Sequence, residues 1–318
     1  MATPVQLLVC SDIHYASDAE KARGHYEINA VPSAAKRMLL RIYRNYIWLR
    51  DPFAHNHLLK QVLSPSREPD LVVANGDYSC DSAFIGVADP AARLSAHQCL
   101  EQFRQRFGPK FSAVYGDHEL GKTTLCGGQG GLRLESLRVA REELNLEPFW
   151  TRRVGRYLLL AVTSSLVAMP VYASEALENE RARWREHERE HLAAIRAAFA
   201  GLHAQDRVLL FCHDPTALPF LWELPEVRAR ISQIDRTIIG HLHSGLLLWQ
   251  SRLLSGMPTI KFCGTAIQRM SAALSRAKAW RHFNVLLCPS PAGIELLKRG
   301  GYYHAEIDPE GQTPARFT

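Results

Sequence analysis

The chain of 318 residues lacks the marks of a secreted, membrane-spanning or repetitive protein. Its seven cysteines, at 10, 80, 99, 126, 212, 263 and 288, are odd in number and form no Cys-x-x-Cys pair. That spacing does not fit a disulfide framework, so reduced thiols and a cytoplasmic location are expected. Cys10 and Cys212 lie in apolar runs and read as small core residues. No stretch approaches the roughly 20 apolar residues that a membrane span needs. The apolar run in the N-terminal MATPVQLLVCSD is far too short for a signal segment. Fixed-period repeats and low-complexity linkers are both missing.

What remains is ordinary globular composition, 47% hydrophobic and 22% charged, with length to bury a large core. A single domain over 1–318 is expected, with 33–63 as a helical cap or lid inserted in it. The formal net charge of +6 suits an anionic substrate such as a phosphate, or the surface of an anionic membrane. It does not by itself predict a specific nucleic-acid partner.

Short apolar runs alternate with helical patterns, which predicts an α/β fold. Strands are expected at Gln6–Ser11, Leu71–Ala74, Phe111–Tyr115, Arg156–Thr163, Arg207–Cys212, Thr237–Ile239, Gly245–Gln250, Thr259–Cys263, Asn284–Cys288 and Gly293–Leu297. Helices are expected at Ser33–Arg50, Pro52–Leu63, Ala91–Phe107, Leu132–Leu144, Ser174–Gly201, Pro225–Ile234 and Thr265–Ala279. The strand-rich last third suits two packed sheets with helices outside better than one parallel sheet. Five of these strands run into turns rich in Asp, His and Gly: SDIH, NGDYSCD, GDHE, HDP and GHLH. Strand ends in an α/β sheet converge on one edge, where ligands bind.

Three motifs compete for the chemistry. Residues 116–123, GDHELGKT, match the G-x-x-x-x-G-K-T loop that cradles nucleotide phosphates. Asp117 and Glu119 would set carboxylates where phosphate oxygens sit, and the glycine-rich TTLCGGQGG that follows predicts no helix. A nucleotide hydrolase is therefore the weakest of the functional alternatives. HEREH, His187 to His191, fits the H-E-x-x-H zinc pattern. Its surroundings are charged almost all round, so a solvated helix face is expected there. The third constellation uses all five loops: Asp12, His14, Asp77, Asp117, His213, His241 and His243. Two divalent metals about 3.5–4 Å apart need a set of N and O ligands of this kind and a bridging carboxylate. In Asp12-x-His14 and His241-x-His243, the alternation of an extended segment would put both ligands on one face.

SDIH, NGD, GDHE, the lone His213 and GHLH, in that order over residues 8 to about 245, resemble the calcineurin-like metallophosphoesterases. The resemblance implies a two-sheet αββα sandwich with flanking helices and a dinuclear metal site at the strand ends. By that likeness Asp12, His14 and His243 hold one metal with Asp77, which bridges to a second held by Asp117, His213 and His241. His118 stands where the family has a catalytic histidine near the scissile phosphate. The family's third motif usually reads Gly-Asn-His, so Asp117 is a departure. It keeps an oxygen at the same reach and adds one negative charge. Lys122 and Thr123 then read as a coincidental tail of the metal turn, with Lys122 a candidate for contact with substrate.

The chemistry implied is hydrolysis of a phosphodiester, phosphomonoester or pyrophosphate by a bridging hydroxide. His118 would stabilise developing charge or protonate the leaving group. Mixed imidazole and carboxylate ligands suit Mn, with Fe or Zn as alternatives. The non-enzymatic alternative is a catalytically silent metal-binding scaffold of the same fold, against which the intact His118 argues. The substrate is expected to be a phosphate-containing small molecule or a lipid-linked phosphate. The basic, aromatic segments 34–50 and 269–283 read either as cap helices packed on the sandwich or as membrane-surface helices.

Overall fold

A computed structural model describes residues 3–80, 84–124, 128–262 and 264–318. Two five-stranded sheets are built from β1 (Val5–Cys10), β2 (Leu71–Ala74), β3 (Phe111–Ala113), β4 (Phe149–Val154), β5 (Tyr157–Val162), β6 (Arg207–Cys212), β7 (Ile234–Ile239), β8 (Val285–Leu287), β9 (Tyr303–Ile307) and β10 (Arg316–Phe317). One sheet runs β10-β9-β1-β2-β3 and the other β4-β5-β6-β7-β8. Within the first, β1, β2 and β3 are parallel. Within the second, β5 through β8 are parallel. The parallel strands are near-continuous apolar runs, as burial on both faces requires.

Alternation along these strands divides the core. Leu7, Val9, Val73, Leu159, Leu209, Phe211 and Ile238 form one buried cluster with Ala305 and Ile307. Their neighbours Leu8, Cys10, Val72, Leu160, Leu210 and Cys212 face the other way and pack with the buried sides of helices Pro90–Phe107 and Arg181–Ala200. The result is two sheets back to back with helices outside, the architecture expected from the strand pattern. Cys10 and Cys212 are buried as core residues; Cys126 and Cys263 lie outside the described residues.

Three expected strands do not form. Gly245–Gln250 is instead the start of helix Gly245–Leu253, whose N-cap Ser244 accepts the Leu247 N–H. A short apolar run carries no periodicity that separates strand from helix, and the cap decides. Residues 259–262 are irregular, with Cys263 outside the described residues, and 293–297 are turns. Conversely, β4, β9 and β10 pair antiparallel, at or next to the sheet margins, where one face need not be apolar. The expected helix over Ser33–Arg50 is the shorter Ala34–Tyr46, and Pro52–Leu63 divides into a 3-10 turn, Pro52–Ala54, and helix Asn56–Leu63.

The structure removes both competing motifs. Lys122 and Thr123 follow a single helical turn, Asp117–Leu120, and Thr123 bridges to Gly130 rather than opening a helix. The two imidazoles of HEREH do not face solvent as a pair. His187 pairs with Glu190, while His191 is buried and its Nε2 accepts the Thr163 N–H at 3.1 Å. Burial pushes the His191 pKa down to about 3, so it is a neutral core acceptor. His191→Ala should cost about 1–3 kcal/mol in urea unfolding by orphaning that N–H, with metal content unchanged. Metal loss in this variant would restore the zinc reading.

Candidate metal centre

All seven proposed ligands lie just beyond the C-terminal ends of the parallel strands. Asp12 and His14 follow β1, Asp77 follows β2, Asp117 follows β3, His213 directly follows β6, and His241 and His243 follow β7. The sheet ladder continues irregularly past the strands. Asp12, His14 and Tyr15 donate their N–H groups to the carbonyls of Gly76, Asp77 and Tyr78. The first and second loops are therefore laced together before any side chain is considered.

The backbone here is not the extended segment expected from Asp-x-His and His-x-His. Asp12, His14, Asp77, His241 and His243 all have φ between +49° and +59°. They are five of the eight non-glycine residues with positive φ among the described residues. Left-handed backbone is uncommon outside glycine and is sustained only where surroundings fix it. It turns successive side chains inward from a tight loop, which an alternating strand would not do.

What fixes it is a set of backbone–carboxylate bonds. Buried Glu119 accepts N–H bonds from Gly116 and Asp77 on Oε2, at 2.7 and 3.0 Å, and from Tyr78 on Oε1 at 2.9 Å. Burial, followed by the Asp77 charge, pushes the Glu119 pKa up to about 7. Asp12 accepts the His241 N–H at 2.9 Å, and Asp77 Oδ1 accepts the His118 N–H at 3.0 Å. Gly116 is needed for close approach, since a Cβ there would overlap the Asp77 carboxylate.

The ligand atoms fall into adjoining groups. Asp12, His14 and His243 form one; Asp77, Asp117, His213 and His241 form another; His14, Asp77 and His118 lie between them, each group having its atoms within 4.8 Å. His243 Nε2 lies 3.2 Å from Asp12 Oδ1 and 3.1 Å from His14 Nε2. His213 Nε2 lies 3.3 Å from Asp77 Oδ2 and 3.4 Å from Asp117 Oδ1, and His241 Nδ1 is 3.3 Å from Asp117 Oδ1. The donor set fits divalent cations. His14 and His213 turn their Nδ1 atoms to the carbonyls of Ser79 and Asn75, which leaves each Nε2 facing the cluster. His213 Nε2 is buried without a hydrogen-bond partner.

Burial opposes ionisation of Asp12, Asp77 and Asp117, yet all three carboxyls lie below their usual range. His243 and His213 pull Asp12 down, and His118 and His213 pull Asp77 down against the charge of Asp117. Lys122 is the largest pull on Asp117. Its Nζ lies 3.1 Å from Asp117 Oδ2 and 2.6 Å from His118 Nε2. Lys122 is thus no coincidental tail. It sits beside the carboxylate that departs from the resembled pattern, and the two charges offset each other. The five-residue spacing of Asp117 and Lys122 carried no signal, because Gly121 turns the chain back after one helical turn. Glu119 is the contributor that sequence reasoning passed over, and Lys122 was read only as a candidate for contact with substrate.

A cavity of about 220 Å³ opens over these groups. Tyr43, Arg44 and Trp48 line it from the segment expected to be a cap, and Arg269 from the C-terminal side. The Trp48 ring lies 4.4 Å from that of His243, centroid to centroid.

The Asp117–Lys122 pair predicts compensating effects. Lys122→Met should tighten Mn binding and weaken binding of inorganic phosphate roughly tenfold, the scale of one charge-assisted hydrogen bond. Asp117→Asn should loosen Mn modestly. The double variant should return close to the parent Mn affinity in calorimetric titration. Weaker Mn binding in Lys122→Met, or a double variant that binds Mn far more weakly than the parent, would show that the two charges do not offset each other.

No curated protein sequence matches the chain. Among solved structures, it is similar to the purple acid phosphatase PPD1 from yellow lupin (Lupinus luteus) seeds, with 12% identity and a TM-score of 0.38 over 76% of this chain. It spans 38% of that enzyme's length. It is also similar to the phosphopantetheinyl hydrolase PptH from Mycobacterium tuberculosis, with 17% identity, a TM-score of 0.35 and coverage of 76% of this chain and 84% of that one. The model of the calcineurin-like phosphoesterase family matches residues 5–245, a span that begins with β1 and ends just past His243. The chain belongs to the calcineurin-like phosphoesterase family.

Proposed function

We propose that the protein hydrolyses a phosphoester or pyrophosphate bond with a dinuclear centre of divalent metal, Mn foremost with Fe or Zn as alternatives. The observation that supports this is a pair of adjoining Asp/His groups, Asp12–His14–His243 and Asp77–Asp117–His213–His241, linked by the proximity of His14 to Asp77. Asp12, His14, His243 and Asp77 would hold one ion; Asp77, Asp117, His213 and His241 would hold the other. Such a pair supplies Lewis-acid activation of water and neutralises charge on the phosphoryl oxygens.

The protein's own residues would do the rest. Glu119 fixes Asp77 through the N–H groups of its loop, so the shared carboxylate does not swing. His118 donates Nδ1–H to the Cys80 carbonyl at 2.7 Å, which directs Nε2 toward the cluster, 3.7 Å from Asp77 Oδ2. Protonated on both nitrogens, His118 would pass its Nε2 proton to the leaving oxygen and return to the neutral Nδ1–H ring. Lys122 Nζ beside it would keep its own proton, held there by Asp117, and offer positive charge. Lys122 and Arg269 at the cavity wall offer cationic contacts to an anionic substrate. Trp48 against His243 limits the space for water on that side.

Purified protein assayed on aryl phosphomonoesters and phosphodiesters, with and without Mn, tests this directly. Turnover should require metal and vanish in Asp77→Asn. His118→Ala should retain both ions and lose about 10²–10⁴ in turnover, less for substrates with good leaving groups. Metal binding without turnover on any phosphoester would favour the silent scaffold. Loss of an ion from His118→Ala would show that His118 is a ligand.

A further inference from the structure

Helix Ala34–Tyr46 is built the wrong way round for a helix packed on a core. Its only buried side chain is Arg44. Met38, Leu39, Ile42 and Tyr46, spaced to share one helix face, stand in solvent, Leu39 at 66% exposure. Helix Gly245–Leu253, with the sequence GLLLWQSRL, has no fully buried residue; Leu246 to Leu248 are half-buried, with Leu248 against the core. Trp249, Leu253 and Leu254 are exposed there, followed by Phe262 at 88% and Met270. Of the fourteen large hydrophobic side chains exposed among the described residues, ten lie in 34–50 and 245–283.

The same two segments hold an unbalanced charge. They carry five and six Lys or Arg residues respectively, and no Asp or Glu. Among the described residues, only Arg44, Arg269 and Arg276 of these pair with a carboxylate. Many cations elsewhere have such partners. Both segments reach the mouth of the cavity over the metal centre, through Tyr43 and Trp48 on one side and Arg269 on the other.

We infer that these two segments form a docking surface for an anionic lipid bilayer, with the cavity mouth between them. Exposed aliphatic stripes interleaved with unpaired cations match a surface that presents acyl chains beneath anionic headgroups. A second copy of this chain would bring two acid-free cationic faces together, which repel. Single-stranded nucleic acid would favour stacked aromatic rings, whereas the first stripe is mainly aliphatic. No helix among the described residues is long and apolar enough to cross a membrane, so the contact is interfacial. This inference stands apart from the hydrolase assignment, because binding is read without turnover.

Sedimentation with vesicles of phosphatidylcholine, with or without phosphatidylglycerol, tests it. The protein should bind the phosphatidylglycerol vesicles, bind pure phosphatidylcholine far less, and lose binding as salt is raised. The triple variant Met38→Ser, Leu39→Ser, Ile42→Ser should reduce partitioning roughly tenfold or more, and so should Trp249→Ser with Phe262→Ser. These side chains stand in solvent, so the variants should fold, which circular dichroism checks. Equal binding to both vesicles, no binding, or variants that bind like the parent would overturn the inference. So would concentration-dependent dimerisation abolished by the same variants. Metal-dependent hydrolysis of a soluble aryl phosphoester should survive in all of them, which keeps failure of docking distinct from failure of the hydrolase assignment.

Discussion

The Glu119 carboxylate is the contact on which the site depends. It gathers the N–H groups of Gly116, Asp77 and Tyr78, and so ties the loop after β2 to the loop after β3. Without it, the left-handed backbone at Asp77 loses the bond on its own N–H and keeps only those from His14 to its carbonyl and from His118 to its carboxylate. Five of the proposed ligands share that strained geometry, and Asp12, His14, Asp77 and His241 are restrained by backbone bonds to a neighbouring loop. The two sheets set the loops at a common edge, and the loops lock one another there. Strain of this kind persists where the surrounding fold over-determines it, and the sandwich supplies that rigidity.

Charge is the second constraint. Three buried carboxylates and five imidazoles crowd the site, with a fourth carboxylate just behind it. Burial alone would neutralise the acids, and the imidazoles and Lys122 keep them ionised. Asp117 in place of the usual Asn adds a charge that Lys122 offsets at 3.1 Å. The same ammonium lies beside the histidine proposed to act on the leaving group.

Much of this was legible in the sequence, for physical reasons that differ by element. β1, β2 and β6 are apolar runs buried for most of their length that end at polar turns, so their boundaries showed clearly; the start of β7 did not, because Asp235 and Arg236 interrupt its apolar run. The marginal strands β4, β9 and β10 did not, because a strand at or near a sheet edge needs no continuous apolar run. GLLLWQ looked like a core strand and is a helix with no fully buried residue, half-buried at Leu246 to Leu248. The seven proposed ligands stood out by type and order. The means of their convergence did not, because left-handed turns at Asp and His leave no mark in an Asp-x-His spacing. Lys122 was set aside for a similar reason: its place depends on a turn at Gly121, not on distance along the chain.

The central claim is that Asp77 sits between two cation sites, each built from loops of both sheets. Crystals grown with Mn, with diffraction data collected at its absorption edge, address it most directly. The account predicts two anomalous peaks per chain, about 3.5–4 Å apart, one beside Asp12, His14 and His243 and the other beside Asp117, His213 and His241, with the Asp77 carboxylate between them. A single peak, or a pair that leaves Asp77 to one side, would contradict it.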